Sequence, residues 1–432
     1  MNPEKTTKRL AASAIAIAIC NLYSGNAWAA SDAERIAELE KRLGQSLKQL
    51  EVLSSRLENL EKPGPAAAAP VVYEKRMEAL ERNFEQMNET ASRTPSNLGV
   101  PLHGFSDVGY TSSGKKSENR KHGFYLGNVD FYLTPEFGDH IKALVEINMD
   151  WGTQGVFTTD TERMQLGYTF SDALTVWGGR FHTPFGYYNN AFHHGAQIQT
   201  SILRPKMVAF EDHDGFLPTH TVGVWATGLT RAGNGKVEYD LYAGNGTRIV
   251  DNVQDFNAVK DDNSNKLIGA SLRYRFGGAL DGLLIGAHGF TQKVSSYTGS
   301  TLDSTTQVNM AGAYAFYDAN DWEVVGEYYR FRDKDLTNNT GTHSSWAGFL
   351  QVGKTFFGNT TPFIRYEKAA LNQADNFFLS QNSGRSYVRQ AAGLRYDLNP
   401  KTALKFEINR TDETRDGGEK YNEAMLQVAV RF

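Results

Sequence analysis

Apolar and polar residues alternate in short segments along most of the chain, from about residue 98 to the C-terminus. In one segment Ile141, Ala143 and Val145 share one face, whereas Lys142 and Glu146 lie on the other. Alternation with a period of two is typical of a β-strand that has one apolar and one polar face. We expect sixteen such strands, which begin near residues 102, 123, 140, 161, 173, 218, 235, 266, 282, 307, 321, 345, 361, 386, 401 and 422.

Short turns and long polar insertions alternate between these segments. Residues 137–139 and 318–320 form tight turns, whereas 245–265 and 371–385 are polar insertions. Transmembrane β-barrels of bacteria have an even number of strands, with short turns at the periplasmic end and longer loops at the outer end. The pattern therefore predicts an all-β transmembrane barrel of about 16 antiparallel strands over residues 98–432.

Composition agrees with a membrane barrel without requiring one, since a soluble β-protein can share it. The mean hydropathy is −0.47 and 12% of the residues are aromatic. A barrel gives such values because half of each strand faces an aqueous interior and aromatic residues form girdles. The last segment places Leu426, Val428 and Val430 on one face and ends on Phe432, which resembles the terminal signal shared by outer-membrane barrels.

A different period precedes the strands. Residues 30–62 carry a heptad repeat with a leucine-rich seam, which is typical of a self-associating helix. One seam position is occupied by Ile36, Leu43, Leu50 and Leu57. We therefore expect an N-terminal α-helical coiled coil over 30–62, a Pro/Ala-rich linker over 63–70, and a second short helical segment over 71–97.

Residues 1–29 have the organisation of a secretory signal peptide. Basic residues precede the apolar run from Leu10 to Cys20, and a small-residue cleavage site ends at Ala29. Cleavage there removes Cys20, the one cysteine of the sequence, so no disulfide is expected. Export and the strand pattern together predict the outer membrane of a Gram-negative bacterium, with the coiled coil in the periplasm.

The longest insertion follows the fifth strand and runs from about residue 182 to 218. A barrel of about sixteen strands encloses an aqueous channel, and a loop this long usually has a function. We expect the loop to fold inward as a constriction, while an ordinary external loop or a contact between subunits stays open as the alternative. The candidate constriction residues are His193, His194, Arg204, Lys206, Glu211, Asp212 and His213.

Alternation also predicts which charged side chains project into the channel. Rings of charge set ion preference in pores, and Arg or Lys favours anions. Acidic residues such as Glu146, Glu238 and Glu367 share the interior with these cations and weaken their effect. We therefore expect only a mild anion preference, with a weakly selective channel as the alternative. The candidate inner cations are Lys142, Arg163, Arg180, Arg273, Arg275, Arg365, Arg389, Arg395 and Lys405.

No catalytic, metal or cofactor chemistry is expected, and we do not expect an enzyme. His193, His194 and Glu211 have metal-ligand side chains, but adjacent histidines point in different directions and no HExxH spacing occurs. No nucleophile motif of a hydrolase stands out. The formal net charge is −4, and nothing in the sequence suggests nucleic-acid binding.

Two segments carry a resemblance to a known family: Phe124 to Phe131 (FYLGNVDF) and Gly178 to Gly186 (GGRFHTPFG). With the heptad-bearing N-terminus, they make the chain resemble the DcaP-like trimeric porins, within the broader group of phosphate-selective porins O and P. The resemblance implies a homotrimer of sixteen-stranded barrels in outer-membrane lipid, an infolded third loop, and passive uptake of small, often anionic, hydrophilic solutes. The third loop has only Arg204 and Lys206 as cations, which departs from phosphate-selective members.

A second function stays open beside the channel. In it the coiled-coil stem tethers the outer membrane to peptidoglycan, and the barrel serves only as an anchor. The sequence does not decide whether the stem joins three barrels or binds the cell wall.

Overall fold

The computed structural model describes residues 102–116, 122–151, 157–192, 195–209, 215–256, 260–414 and 418–432. The predicted signal peptide, coiled coil, linker and second helical segment lie outside these residues. So do five candidate constriction residues, His193, His194, Glu211, Asp212 and His213. Within the described ranges, no helix is long and apolar enough to cross a membrane.

Sixteen long strands account for most of the described residues. They are β1 Leu102–Ser113, β2 His122–Leu133, β3 Ile141–Trp151, β4 Phe157–Ser171, β5 Leu174–His182, β6 His220–Ala232, β7 Gly235–Gly244, β8 Leu267–Arg275, β9 Leu283–Thr298, β10 Thr301–Ala319, β11 Trp322–Asp335, β12 Thr342–Lys354, β13 Thr360–Ala370, β14 Tyr387–Asn399, β15 Thr402–Glu413 and β16 Lys420–Arg431. Shorter elements are the strands Glu136–Phe137, Ile249–Val250 and Val253–Gln254, the helices α1 Tyr188–Ala191 and α2 Asn376–Leu379, and the 3₁₀ turns Lys206–Val208 and Gly278–Leu280.

The sheet closes on itself. Each long strand pairs antiparallel with the next, and β16 pairs with β1 from Phe105 opposite Arg431 to Ser113 opposite Glu423. A closed ladder leaves no strand edge, so the backbone polar groups of the strands find partners within the sheet. The described residues confirm the predicted all-β barrel of sixteen antiparallel strands.

The two ends of the barrel differ in the length of their connections. Residues 320–321, 233–234, 172–173 and 400–401 are tight turns at the end that also holds the C-terminus, which we call the turn end. At Asn320 and Asp321 the backbone φ is 53° and 67°, as a two-residue hairpin of the primed type requires. The opposite end, the loop end, carries the longer connections, including 183–219, 245–266 and 371–386.

The outer face of the barrel is apolar and the inner face is largely polar. Leu350, Ile364, Leu394, Phe406 and Leu426 are all exposed on the outside. Neighbouring strands align these side chains, since Leu394 lies opposite Phe406 and Phe406 opposite Leu426. An apolar outer band with a polar interior is the arrangement that suits a barrel in a bilayer.

Candidate functional site

The described residues of the connection between β5 and β6, which are 183–192, 195–209 and 215–219, fold into the barrel and form the infolded loop. Its side chains Phe185, Tyr188, Phe192, Met207 and Phe216 are at most 3% exposed. They pack in one buried cluster with inner-wall residues from β9 to β14. Burying a loop removes its backbone polar groups from water, so those groups need partners on the barrel wall.

Glu327 on β11 provides the first set of partners. Its carboxylate accepts hydrogen bonds from the backbone nitrogens of Tyr187, at 3.0 Å, and Tyr188, at 2.6 Å, where α1 begins. Tyr329 Oη also donates to this carboxylate. The Tyr188 hydroxyl donates to Gln199 Oε1 at 3.1 Å, and burial raises the pKa of Tyr188 to about 12.

Two further carboxylates hold the middle of the infolded loop. Glu407 Oε2 on β15 accepts from the backbone nitrogens of Ile202, at 2.5 Å, and Leu203, at 3.1 Å. Glu367 Oε2 on β13 accepts from the backbone nitrogen of Lys206 at 2.6 Å. Hydrogen bonds to ionised acceptors are about twice as strong as neutral ones, so these contacts fix the loop against β13 and β15.

Three of the predicted inner cations bind carbonyl groups of the same loop. Arg365 on β13 donates to Leu203 O at 3.0 Å and pairs with the Glu367 carboxylate at 2.8 Å. Arg395 on β14 donates to the carbonyls of Gln197 and Gln199, the latter at 2.9 Å. Lys405 on β15 donates to the carbonyls of Ala196 and Ser201, the latter at 3.1 Å. These cations are therefore engaged in holding the loop.

Lys206 and Arg204 are the two candidate constriction residues that the structure describes. The Lys206 ammonium lies 2.7 Å from Glu413, and both side chains are at most 3% exposed. The same ammonium is 5.5 Å from the centre of the Tyr387 ring. Arg204 is partly buried, and its carbonyl accepts from Arg365 at 3.5 Å.

The other predicted inner cations each lie beside a carboxylate. Arg273 contacts both Glu238, at 2.5 Å, and Asp240, and Arg275 contacts Glu238 at 3.2 Å. The remaining pairs are Arg163 with Glu146, Arg180 with Asp160 at 3.7 Å, Arg389 with Glu423 at 3.4 Å, and Lys142 with Glu136 at 3.9 Å. The interior is thus mixed in sign, with basic and acidic side chains in contact.

A second segment also enters the barrel at the loop end. In α2 of the 371–386 connection, Phe377 and Phe378 are each 1% exposed. Phe378 lies edge-on to Phe216 of the infolded loop and to Phe331 of β11, with ring centroids 5.4 and 5.1 Å apart. Sequence analysis did not anticipate this segment, although two adjacent phenylalanines in a polar insertion were its visible signal.

Solvent reaches the inner ion pairs unevenly. The side chains of Asp160 on β4, Arg275 on β8 and Arg273 on β8 are 42%, 28% and 20% exposed. Those of Arg365 on β13 and Arg395 on β14 are 0% and 3% exposed, because the infolded loop covers them. The pairs of Asp160, Arg273 and Arg275 therefore keep contact with water, as does Lys142 on β3, whose side chain is 23% exposed.

No group of three or more metal-ligating side chains lies together in the described part of the chain. His193, His194 and Glu211, which have metal-ligand side chains but were not expected to form a metal site, are residues that the structure does not describe.

The barrel is similar to solved porin structures. An anion-selective porin from Comamonas acidovorans matches with a TM-score of 0.54 and 14% identity, over 77% of this chain and 99% of that one. The outer-membrane channel DcaP of Acinetobacter baumannii matches with a TM-score of 0.51 and 11% identity, over 78% and 99%. OmpF of Salmonella typhi, in complex with daunomycin, matches with a TM-score of 0.50 and 13% identity, over 77% of this chain and 97% of that one.

At these identities the likeness is one of fold, and the fold fits that of a DcaP-like porin. No protein-family model and no curated protein sequence matches the chain.

Proposed function

We propose that this chain is an outer-membrane porin through which small hydrophilic solutes diffuse passively, with the infolded loop as its constriction. The observation that carries this proposal is the loop itself, which charged side chains hold against β11 to β15 inside a closed barrel with an apolar outer face. An aqueous interior suits a barrel of this size. The similarity in fold to solved porins supports the same function.

The proposed solute path runs between the infolded loop and the wall formed by β3 to β8. Arg273 and Arg275 keep contact with water on this wall, and Arg163 and Arg180 lie on its β4 and β5 strands. Cations along a pore favour anions, while nearby carboxylates weaken that preference. We therefore propose a mild preference for anionic solutes.

The assembly is proposed to be a homotrimer in outer-membrane lipid, with the N-terminal stem in the periplasm. We propose no catalytic, metal or cofactor role for any residue. The tether to peptidoglycan depends on residues outside the described ranges, and no contact of the described residues favours it.

Single-channel conductance in a planar bilayer, with a KCl gradient across it, tests the porin. We expect stable openings with a reversal potential on the anion side. The double variant Arg273→Gln/Arg275→Gln should move that potential towards cations, because Glu238 and Asp240 lose their partners. The control Lys354→Gln/Lys401→Gln, which removes the same charge at the turn end, should leave it unchanged.

A correctly folded barrel that does not conduct would overturn the proposed function. The mobility shift of the heated against the unheated protein in electrophoresis verifies folding. A closed barrel of this kind would favour the structural tether, whose test is binding of the full chain to purified peptidoglycan.

A further inference from the structure

The outer face of β11 changes from apolar to basic towards the loop end. Arg330, Arg332 and Lys334 occupy three successive outward positions and are exposed. The residues between them, such as Phe331 and Asp333, are buried on the inner face, so the strand keeps its period of two. We call the three cations, together with Lys368 on β13, the basic row.

Uncharged polar side chains flank the two cations of the basic row that lie nearest the loop end, Arg332 and Lys334. Lys334 lies opposite Thr342 on β12 and Gln307 on β10, and Arg332 lies opposite Ser344. None of the four cations forms an ion pair with a residue that the structure describes. The carboxylate Asp412, on the nearby strand β15, is 2.7 Å from Lys420 and is therefore already neutralised.

Aromatic residues place the basic row at the boundary between lipid and water. Trp346 lies opposite Arg330 and stacks on Tyr328, with ring centroids 6.1 Å apart. The Lys368 ammonium reaches to 5.7 Å from the centre of the Trp346 ring. Aromatic girdles of barrels lie at the two interfaces of the membrane, and long basic side chains beside them extend towards the polar headgroups.

We infer that the basic row binds the phosphate groups of a phosphorylated glycolipid in the outer leaflet of the membrane. Guanidinium groups pair with phosphate through two parallel hydrogen bonds, and Lys adds a point charge. Successive outward positions on a strand are about 6.7 Å apart, so several phosphate oxygens are bridged at once. Thr342, Ser344 and Gln307 provide neutral groups for sugar hydroxyls.

This inference rests on the outer-membrane location in the proposed function and not on conduction. The full-length folded protein in detergent is titrated with diphosphorylated lipid A, and the bound lipid is measured. The test variant is Arg332→Gln/Lys334→Gln, and the matched control is Lys354→Gln/Lys401→Gln at the turn end. Each cation near a charged headgroup contributes about fivefold in affinity, so we expect roughly 30-fold weaker binding by the test variant.

Two comparisons identify the ligand group. Lipid A without its phosphates should bind the unmodified protein, the control and the test variant equally weakly. Excess inorganic phosphate should displace little of the intact lipid, because a free anion lacks the second phosphate and the acyl chains.

Equal affinity of the unmodified protein and the test variant for diphosphorylated lipid A would overturn the inference. Efficient displacement of the lipid by inorganic phosphate would also overturn it, because this indicates a site for a free anion. Loss of the oligomer in the test variant with unchanged lipid binding would overturn it as well, because this indicates a contact between copies of the chain. Heat modification verifies folding, and Arg332→Lys should bind better than Arg332→Gln. A barrel that binds the lipid without conducting would contradict the porin and leave this inference in place.

Discussion

The Oε2 atom of Glu407 on β15 lies 2.5 Å from the backbone nitrogen of Ile202 in the infolded loop, although 205 residues separate them in the sequence. The same carboxylate accepts from Leu203 and pairs with Arg365 at 3.4 Å. One buried side chain therefore connects the loop, β13 and β15. This arrangement makes Glu407 one of the main contacts that hold the middle of the loop.

Replacing Glu407 by Ala should loosen the infolded loop. Two charge-assisted hydrogen bonds are lost and Arg365 loses one partner, so we expect a loss of about 3 kcal/mol in stability. Conductance should become larger and noisier, because the loop is no longer held to the wall. Glu407→Gln retains a hydrogen-bond acceptor, so its stability and conductance should lie between those of Glu407→Ala and the unmodified protein. Identical single-channel traces for Glu407→Ala and the unmodified protein would contradict this prediction.

Gly186 should not tolerate a side chain. Its φ is +62°, and a Cβ there would lie 2.4 Å from Tyr329 Oη and 2.6 Å from Glu327 Oε2. Gly186→Ala should therefore destabilise the barrel by about 1–3 kcal/mol and lower the temperature at which its electrophoretic mobility shifts. Gly178→Ala on β5 is the control, since nothing lies within 4 Å of its Cβ. Equal shift temperatures for the two variants would refute the prediction.

Lys206 should matter more to stability than to selectivity. Lys206→Met leaves Glu413 buried without that partner, and breaking a buried ion pair typically costs about 3 kcal/mol or more. The double variant Lys206→Met/Glu413→Gln should recover part of the loss, because the uncompensated charge is gone. Thermal unfolding of both variants measures the effect. A large change in reversal potential without a change in unfolding temperature would show that Lys206 acts in the pore.

The docking of α2 should depend on pH. Burial raises the pKa of Asp375. Its side chain faces Asp333 and interacts electrostatically with His343 and Asp335. A carboxyl with a raised folded-state pKa stabilises the docked form at low pH, where it is protonated, and this contribution is lost as the pH rises through that pKa. Hydrogen exchange of residues 371–386 should therefore accelerate as the pH rises, beyond the intrinsic change.

Asp375→Asn is the matched variant for this effect. Asp375 caps α2 by accepting from the backbone nitrogen of Phe377 at 3.1 Å, and Asn caps equally well. The variant should keep α2 docked across the pH range. If it showed the same pH dependence as the unmodified protein, another group would be responsible.

The fold was largely predictable because alternation is a local property of the sequence. Most strands begin within about two residues of the predicted position. The larger differences are β4 and β10, which begin at Phe157 and Thr301, earlier than near 161 and 307. Threonine, serine and aspartate are frequent in their first residues, Phe157 to Asp160 and Thr301 to Ser304, so these residues lack the apolar alternation that marks the rest.

The interior was less predictable than the fold. Alternation indicates the face on which Arg365 or Arg395 lies, but not the loop carbonyls that each binds across the barrel. Glu327 and Glu413 were not anticipated as partners of the infolded loop, because nothing close in sequence relates them to Tyr188 or Lys206. Such contacts depend on the closed barrel and have no local signal.

The charged side chains that hold the described part of the infolded loop come after it in the sequence, on β11, β13, β14 and β15. During synthesis and export, residues 183–219 therefore emerge long before the carboxylates that accept hydrogen bonds from the backbone nitrogens of the loop. Phe185 and Met207 must stay without their final neighbours until the C-terminal strands have assembled. Docking of the loop is thus a late step of biogenesis, and a chain truncated before β13 could not complete it.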